Sequence, residues 1–393
     1  MSILRSIEGI VARRTLIRCV RALATTLLIA AFCNVGAAAT APAASEHSDG
    51  SRGEWETIVA AAKKEGKVVV YGVPGVDVEK LFKEHFEVAF PGIKVESSAD
   101  RDATERIVAE RRAGKFIPDI YLGSASSSDF ASLRAQGIYQ PVRPFLALPE
   151  ILDESKWFDG KLWFIDKEEK YSLVYAVAVG TLIAVSTNLV KPQEITSYTQ
   201  LLEPRWRGKI VSNDILRGSS GTGGGLIKFL YLHPNLGANF LKKLFGEMDI
   251  TYARDMRQMI DWLGQGRFAF ALFPAWTDTE KAARIGLPVA MVNSKRMKEG
   301  FPVVSGRRTV MVLNSAPHPN AAKVFLNWLL SRAGQAGMEK VLTYPSLRVD
   351  TPTKSLLPDL LVPEKGKDFL FVSLEKYWHL DNEIHQLLKN LKK

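Results

Sequence analysis

The chain has 393 residues, 46% of them hydrophobic and 24% charged, with a formal net charge of +10. That composition supplies a large core and excludes a chain disordered throughout, and the length suggests two domains. No block of five like charges occurs, so the basic balance describes a solvated surface rather than a nucleic-acid face.

The first forty residues stand apart. Arg5, Arg13, Arg14, Arg18 and Arg21 face a single acid, Glu8. An apolar run from Ala22 to Cys33 follows, then Gly36, Ala37, Ala38 and Ala39. Basic end, short apolar middle and small-residue cleavage site are the order of a signal peptide. The apolar run is shorter than the ~20 residues needed to span a bilayer. Arg13-Arg14 matches a twin-arginine export signal only loosely, and Cys33 lacks the small residues that precede a lipoprotein cysteine. Residues 1–39 are therefore expected to be removed on export to the periplasm. Both cysteines, Cys19 and Cys33, leave with them, so the mature chain is expected to have no disulfide, thiol nucleophile or cysteine metal site. The remaining chain keeps +6 of the +10, because five arginines and one acid fall before residue 40. A modest positive field favours an anionic ligand.

Residues 40–54 have no period and read as a flexible leader. Trp55, Ile58, Val59 and Ala62 follow helical spacing, and Gly66 stops that helix. Strands are predicted at Lys67–Tyr71, Ile93–Glu96 and Asp119–Leu122, separated by helices near 78–89 and 102–113. A further helix opens after Gly123 and stops at Gly137. Alternating strand and helix predicts α/β with a parallel sheet. Leu173–Val185 is too short and too interrupted for a membrane span, and Leu173–Ser186 reads as two strands around Gly180. A second α/β unit follows: a strand at 208–211, helices near 235–246 and 255–264, a strand at 268–272, a helix at 277–285 and a strand at 289–292. Then come a strand at 308–312 and helices at 320–330 and 333–341. Beyond Pro352 the chain looks loosely attached until an amphipathic helix at 372–392.

In an open α/β sheet, ligands sit beyond the carboxyl ends of the strands. Three loops take such places: Gly72–Gly75, Gly123–Ser128 and Ser219–Gly225. The latter two each precede a helix, whose first N–H groups are unpaired and carry partial positive charge. Ser124, Ser126, Ser127, Ser219, Ser220, Thr222 and Gly223 can grip a carboxylate, phosphate or sulfonate there. Ordinary N-capping explains the same residue types. The glycine loop lacks the Gly-Lys-Ser/Thr ending of a nucleotide P-loop, and neither GxSxG nor HExxH occurs. No two histidines have metal-ligand spacing. Arg217, Arg307 and Arg308 are candidate clamps for a carboxylate or phosphate, and Arg308 is the first choice. Trp276 offers an aromatic wall for an organic ligand.

Several ordered stretches resemble the bacterial extracellular solute-binding proteins of ABC transporters, in the branch of ferric-iron, thiamine and phosphonate binders. They are Trp55–Tyr71, Pro118–Leu122 with the following Gly-Ser, Arg134–Tyr139, Tyr198–Leu202, Pro204–Ile210, Asn327–Arg332 with Gly334-Gln335, and Tyr344-Pro345. Together they run over roughly residues 55–350. The resemblance implies a two-lobed periplasmic-binding-protein-like fold of type II. Two hinge strands would cross near 170–178 and 304–313. Lobe 1 would hold 55–172 plus 308–350, lobe 2 would hold 173–307, and 351–393 would be a C-terminal extension. It implies a monomeric receptor, not an enzyme and without a cofactor. Such a receptor closes on a small, anionic ligand and is recognised by an inner-membrane permease. It also favours the anion-gripping reading of the paired serine loops, with Gly72, Trp276 and Arg308 lining the cleft. The iron binders carry adjacent tyrosines where this chain reads Phe273-Pro-Ala-Trp-Thr-Asp278, and that departure puts ferric iron second to an organic anion. Tyr171 and Tyr175 lie near the first crossing, where packing is the stronger reading. An enzyme on the same fold is the remaining alternative.

Overall fold

The computed structural model describes residues 49–99, 102–123, 127–214, 222–253, 255–351 and 357–391. The expected signal peptide lies outside them. A helix spans Asp49–Glu65, so it starts within the stretch expected as a leader.

The first six strands are β1 (Lys67–Tyr71), β2 (Lys94–Ser98), β3 (Ile120–Gly123), β4 (Tyr139–Gln140), β5 (Trp163–Phe164) and β6 (Leu173–Val174). Next come β7 (Ala178–Val179), β8 (Ile183–Ser186), β9 (Ile210–Asn213), β10 (Thr251–Ala253), β11 (Phe270–Leu272) and β12 (Val289–Met291). The last are β13 (Phe301–Val304), β14 (Thr309–Leu313) and β15 (Phe369–Phe371). They build a seven-stranded sheet ordered β2-β1-β3-β14-β6-β5, with β4 beside β14, and a five-stranded sheet ordered β10-β9-β11-β8-β12. A third sheet, β15-β13-β7, has three strands. β1 runs parallel to β2 and β3, whereas β14 runs antiparallel to β3. β9 runs parallel to β10 and β11, and β8 antiparallel to β11.

Each larger sheet has its own core. Val68, Val70, Ile120, Leu122, Val310 and Val312 belong to the first, and Ile183, Ile210, Leu241, Leu244, Phe270 and Leu272 to the second. The chain is therefore α/β and two-lobed, as the sequence pattern and the resemblance implied. No helix among the described residues is long and apolar enough to cross a membrane.

The run around Gly180 forms three short strands, not two. A side chain at Gly180 would come within 2.2 Å of Leu226 Cδ2, and the Gly180 N–H donates to the Pro302 carbonyl. Gly180 thus separates β7, which pairs with β13, from β8, which pairs with β11 and β12.

One buried carboxylate knots the first lobe. Asp119, fully buried, accepts from the backbone N–H groups of Val69 and His318, each at 2.8 Å. Its Oδ2 also lies 3.0 Å from His318 Nδ1. These bonds tie the start of β3 to β1 and to the helix Pro319–Leu330. Burial pushes the Asp119 carboxyl up, and the three partners pull the other way. Asp119→Ala removes every acceptor at once and leaves buried donors unpaired, at a cost of about 3 kcal/mol. The expected result is an unfolding midpoint lower by roughly 5–10 °C, read by circular dichroism.

The C-terminal region also departs from the expected loose attachment. β15 pairs in parallel with β13, matching Phe301 with Phe369 and Val303 with Phe371. The terminal helix is shorter than expected, Leu380–Leu391, and packs on the helices Thr222–Leu232 and Gly237–Glu247. Lys228 Nζ meets Asp381 at 2.7 Å, and Lys295 Nζ meets Glu364 at 2.7 Å. The preceding segment grips the other core: Trp378 packs edge-on to Phe130, and Arg134 Nη1 bonds Glu375 at 3.1 Å.

Candidate functional site

The parallel strands β1 and β3 end at Tyr71 and Gly123, and that carboxyl edge is the crevice-forming side of an open sheet. Gly72 follows at φ +74°, and a Cβ there would fall 2.3 Å from the Leu122 carbonyl oxygen. The glycine is thus required by the close passage of β1 past β3. Because β14 is antiparallel, its first residue, Thr309, pairs with Gly123 and donates through Oγ1 to the Gly123 carbonyl at 2.7 Å. Arg308, one residue earlier, is placed at the same edge.

Three backbone segments run side by side at this point. The Tyr175 N–H donates to the Arg308 carbonyl at 3.1 Å, and the Leu347 N–H to the Tyr175 carbonyl at 3.1 Å. The Val177 N–H donates to the Pro345 carbonyl at 3.1 Å. The Arg308 guanidinium lies 4.8 Å over the Tyr344 ring, whose hydroxyl donates to the Val304 carbonyl at 3.0 Å. Three buried polar atoms here have no hydrogen-bond partner: Tyr175 Oη, Ser305 Oγ and Arg308 Nε. Tyr175 is fully buried and Ser305 is 1% exposed. Burial pushes the Tyr175 phenol up to about 12 despite Arg308 and Arg307 nearby. Burial does the same to Tyr344, again to about 12 and against Arg308. Both phenols are therefore protonated near neutrality.

The second lobe has a matching edge. β9 ends at Asn213 and β11 at Leu272, after which Phe273 takes φ 54°. A bulky residue in that region is strained and persists only where its surroundings hold it. The Phe273 N–H donates to the Leu182 carbonyl at 2.8 Å, and the Phe273 carbonyl accepts from Asn213 Nδ2 at 3.3 Å. Asn213 Oδ1 is buried without a partner. Trp276, half-buried, opens the helix Trp276–Arg284 beyond β11.

Of the residues singled out in the sequence, the structure places Gly72 and Arg308 at the edge of the first sheet. Ser127 stands there too, as the first residue of the helix Ser127–Ala135. Trp276 stands beyond the second sheet, and Thr222 and Gly223 start the helix Thr222–Leu232. Ser124, Ser126, Ser219 and Ser220 lie outside the described residues. Sequence reasoning did not single out Asn213 or Ser305, and it assigned Tyr175 to packing. The available signals were a polar residue ending a strand and a tyrosine within an apolar run. Among the described residues, no three His, Cys, Asp or Glu side chains gather to hold a metal ion.

Known proteins agree with this architecture. The sequence pattern of the bacterial extracellular solute-binding proteins matches residues 72–336. No curated protein matches the chain in sequence. Among solved structures, the Trichodesmium protein IdiA (FutA), in complex with iron and citrate ligands, superposes with a TM-score of 0.63. It is 18% identical over 83% of this chain and 99% of that one. The ferric iron-binding protein A of Mannheimia haemolytica, in an open conformation, also gives 0.63, at 14% identity over 83% and 98% of the two chains. An ABC transporter structure from Clostridium perfringens gives 0.61, at 15% identity over 83% and 99%. The likeness to these structures is one of fold. The sequence match runs over most of the chain, and on that ground the chain belongs to the bacterial extracellular solute-binding proteins.

Proposed function

We propose that the chain is the periplasmic receptor of an ABC importer, exported by its N-terminal signal peptide. As a monomer it captures a small organic anion between two closing lobes and presents the closed form to the permease. The lobes are residues 55–172 with 308–350, and 173–307, with β6 at the boundary still paired in the first sheet. The crossings near 170–178 and 304–313 act as hinges. The extension 351–393 braces them. Closure is a population shift, driven by contacts that the ligand makes only when the lobes meet.

The observation that carries the ligand class is the set of donors at the crossing. Tyr175 Oη, Ser305 Oγ and Arg308 Nε are buried and lack partners, and each such group costs free energy until it is paired. An oxyanion pairs with all three types of donor. The starts of the helices at Ser127 and Thr222 would add backbone N–H groups.

A second reading, ferric iron held with an accompanying anion, draws on the Trichodesmium and Mannheimia relatives. The tyrosines count against it. Ferric iron takes phenolates, whereas Tyr344 spends its hydroxyl on Val304 and burial keeps Tyr175 protonated.

The test is a thermal-shift panel at neutral pH, with carboxylates, phosphonates, sulfonates and ferric chloride, followed by visible absorption after iron loading. An upward shift with an organic anion and a colourless iron-loaded sample are expected. A coloured, iron-stabilised protein that ignores every anion would overturn the proposal.

A further inference from the structure

The two edges carry opposite hydrogen-bonding needs. At the first-lobe edge the unpaired atoms, Tyr175 Oη, Ser305 Oγ and Arg308 Nε, can all donate. At the second-lobe edge the unpaired atom is an acceptor, Asn213 Oδ1. Its polarity is fixed by the neighbours. Asn213 Nδ2 donates to the Phe273 carbonyl at 3.3 Å and reaches Met256 Sδ at 3.9 Å, so a flipped amide would set oxygen against oxygen. The Phe273 carbonyl is itself held by the strained φ of 54° and by the bond from Phe273 N–H to Leu182. Backbone strain retained at the end of a central strand is a mark of a functional position.

We infer that the ligand joins an oxyanion to a hydrogen-bond donor, as in a hydroxy- or amino-substituted organic acid, with Asn213 Oδ1 accepting from that hydroxyl or amine. The inference rests on the anion-receptor reading and deepens it. The oxyanion meets the crossing, and the donor meets the second lobe. The chain itself links the two ends: Leu182, bonded to Phe273, follows Tyr175 by seven residues, which span at most ~25 Å when extended. An acid without the donor would leave Asn213 Oδ1 unpaired on closure. A site built around a hydrogen bond rejects the analogue that lacks it.

Titration calorimetry on the mature full-length protein, using matched acids, tests this. The pairs are lactate and propionate, malate and succinate, citrate and tricarballylate, and 2-aminoethylphosphonate and ethylphosphonate. In any pair that binds, the member with the donor is expected to bind at least about tenfold tighter. Asn213→Leu brings that ratio close to one. An unchanged affinity of Asn213→Leu for the member without the donor, together with a native circular dichroism spectrum, guards against a variant that merely misfolds. Equal affinities within every binding pair in the unaltered protein would overturn the inference and leave the anion receptor standing. Binding of no member of any pair would overturn both.

Discussion

Deletion of residues 357–393 is expected to leave a chain that does not reach the native fold. The segment closes both cores. Phe371 and Val372 are buried, and Phe371 lies 4.9 Å from the Trp163 ring. Phe369 stacks on Trp163 at 5.9 Å and on Phe301 at 6.1 Å. Leu380, Ile384 and Leu388 fill the seam beneath the terminal helix. At about 1.5–3 kcal/mol for each buried apolar side chain, these contacts amount to on the order of 10 kcal/mol. A whole domain is stable by only about 5–15 kcal/mol. The deletion also strands two lysines. The side chains of Lys228 and Lys295 are each 6% exposed, and their partners Asp381 and Glu364 are both removed. An unpaired buried cation costs a further several kcal/mol. The truncated chain should precipitate or melt without cooperativity. A soluble truncation with a sharp transition near that of the full chain would show that the segment is an appendage.

Replacement of Arg308 by alanine is the substitution expected to damage capture most. Its backbone is fixed by Tyr175 and by Ser305, whose carbonyl accepts from the Arg308 N–H at 3.1 Å, and its guanidinium rests on Tyr344. The fork is thereby held at the sheet edge with Nε unpaired. A charge-assisted bond to an oxyanion contributes about 3 kcal/mol, roughly a hundredfold in Kd. Arg308→Lys keeps the charge but not the planar fork, so it should fall between the two. Titration of the best anion from the thermal-shift panel reads the effect, with circular dichroism to show that the fold persists. Full affinity in a folded Arg308→Ala protein would place the oxyanion elsewhere.

Much of the fold was legible in the sequence because burial writes a period. Val68–Val70 and Ile120–Leu122 read as strands between helices with apolar stripes, and the structure pairs them through Val70 and Ile120. The stretch from Leu173 to Ser186 was less legible. Strands of two residues, such as β6 and β7, have no period, and the need for glycine at 180 is set by Leu226 and Pro302, distant in sequence. The C-terminal region misled for a related reason. Phe369–Phe371 becomes a strand only because β13 offers its edge, and the helix therefore begins at Leu380 rather than 372.

The candidate site was legible by residue type and not by need. A serine before a helix and an arginine before a strand can be seen in a sequence. That Tyr175 Oη, Ser305 Oγ and Asn213 Oδ1 lack partners is a property of three-dimensional packing. The strained Phe273 is equally silent, since nothing in Leu-Phe-Pro announces a positive φ. Gly72 was marked for ligand contact, and the structure supplies a packing demand for the same glycine.

The most direct measurement is native mass spectrometry of the mature protein as purified, repeated after denaturation and refolding. A small organic acid, present in the first spectrum and lost from the second, is the predicted result. Its mass would also show whether it carries a hydroxyl or an amine. A lost mass that is iron, with no organic anion, would contradict the account.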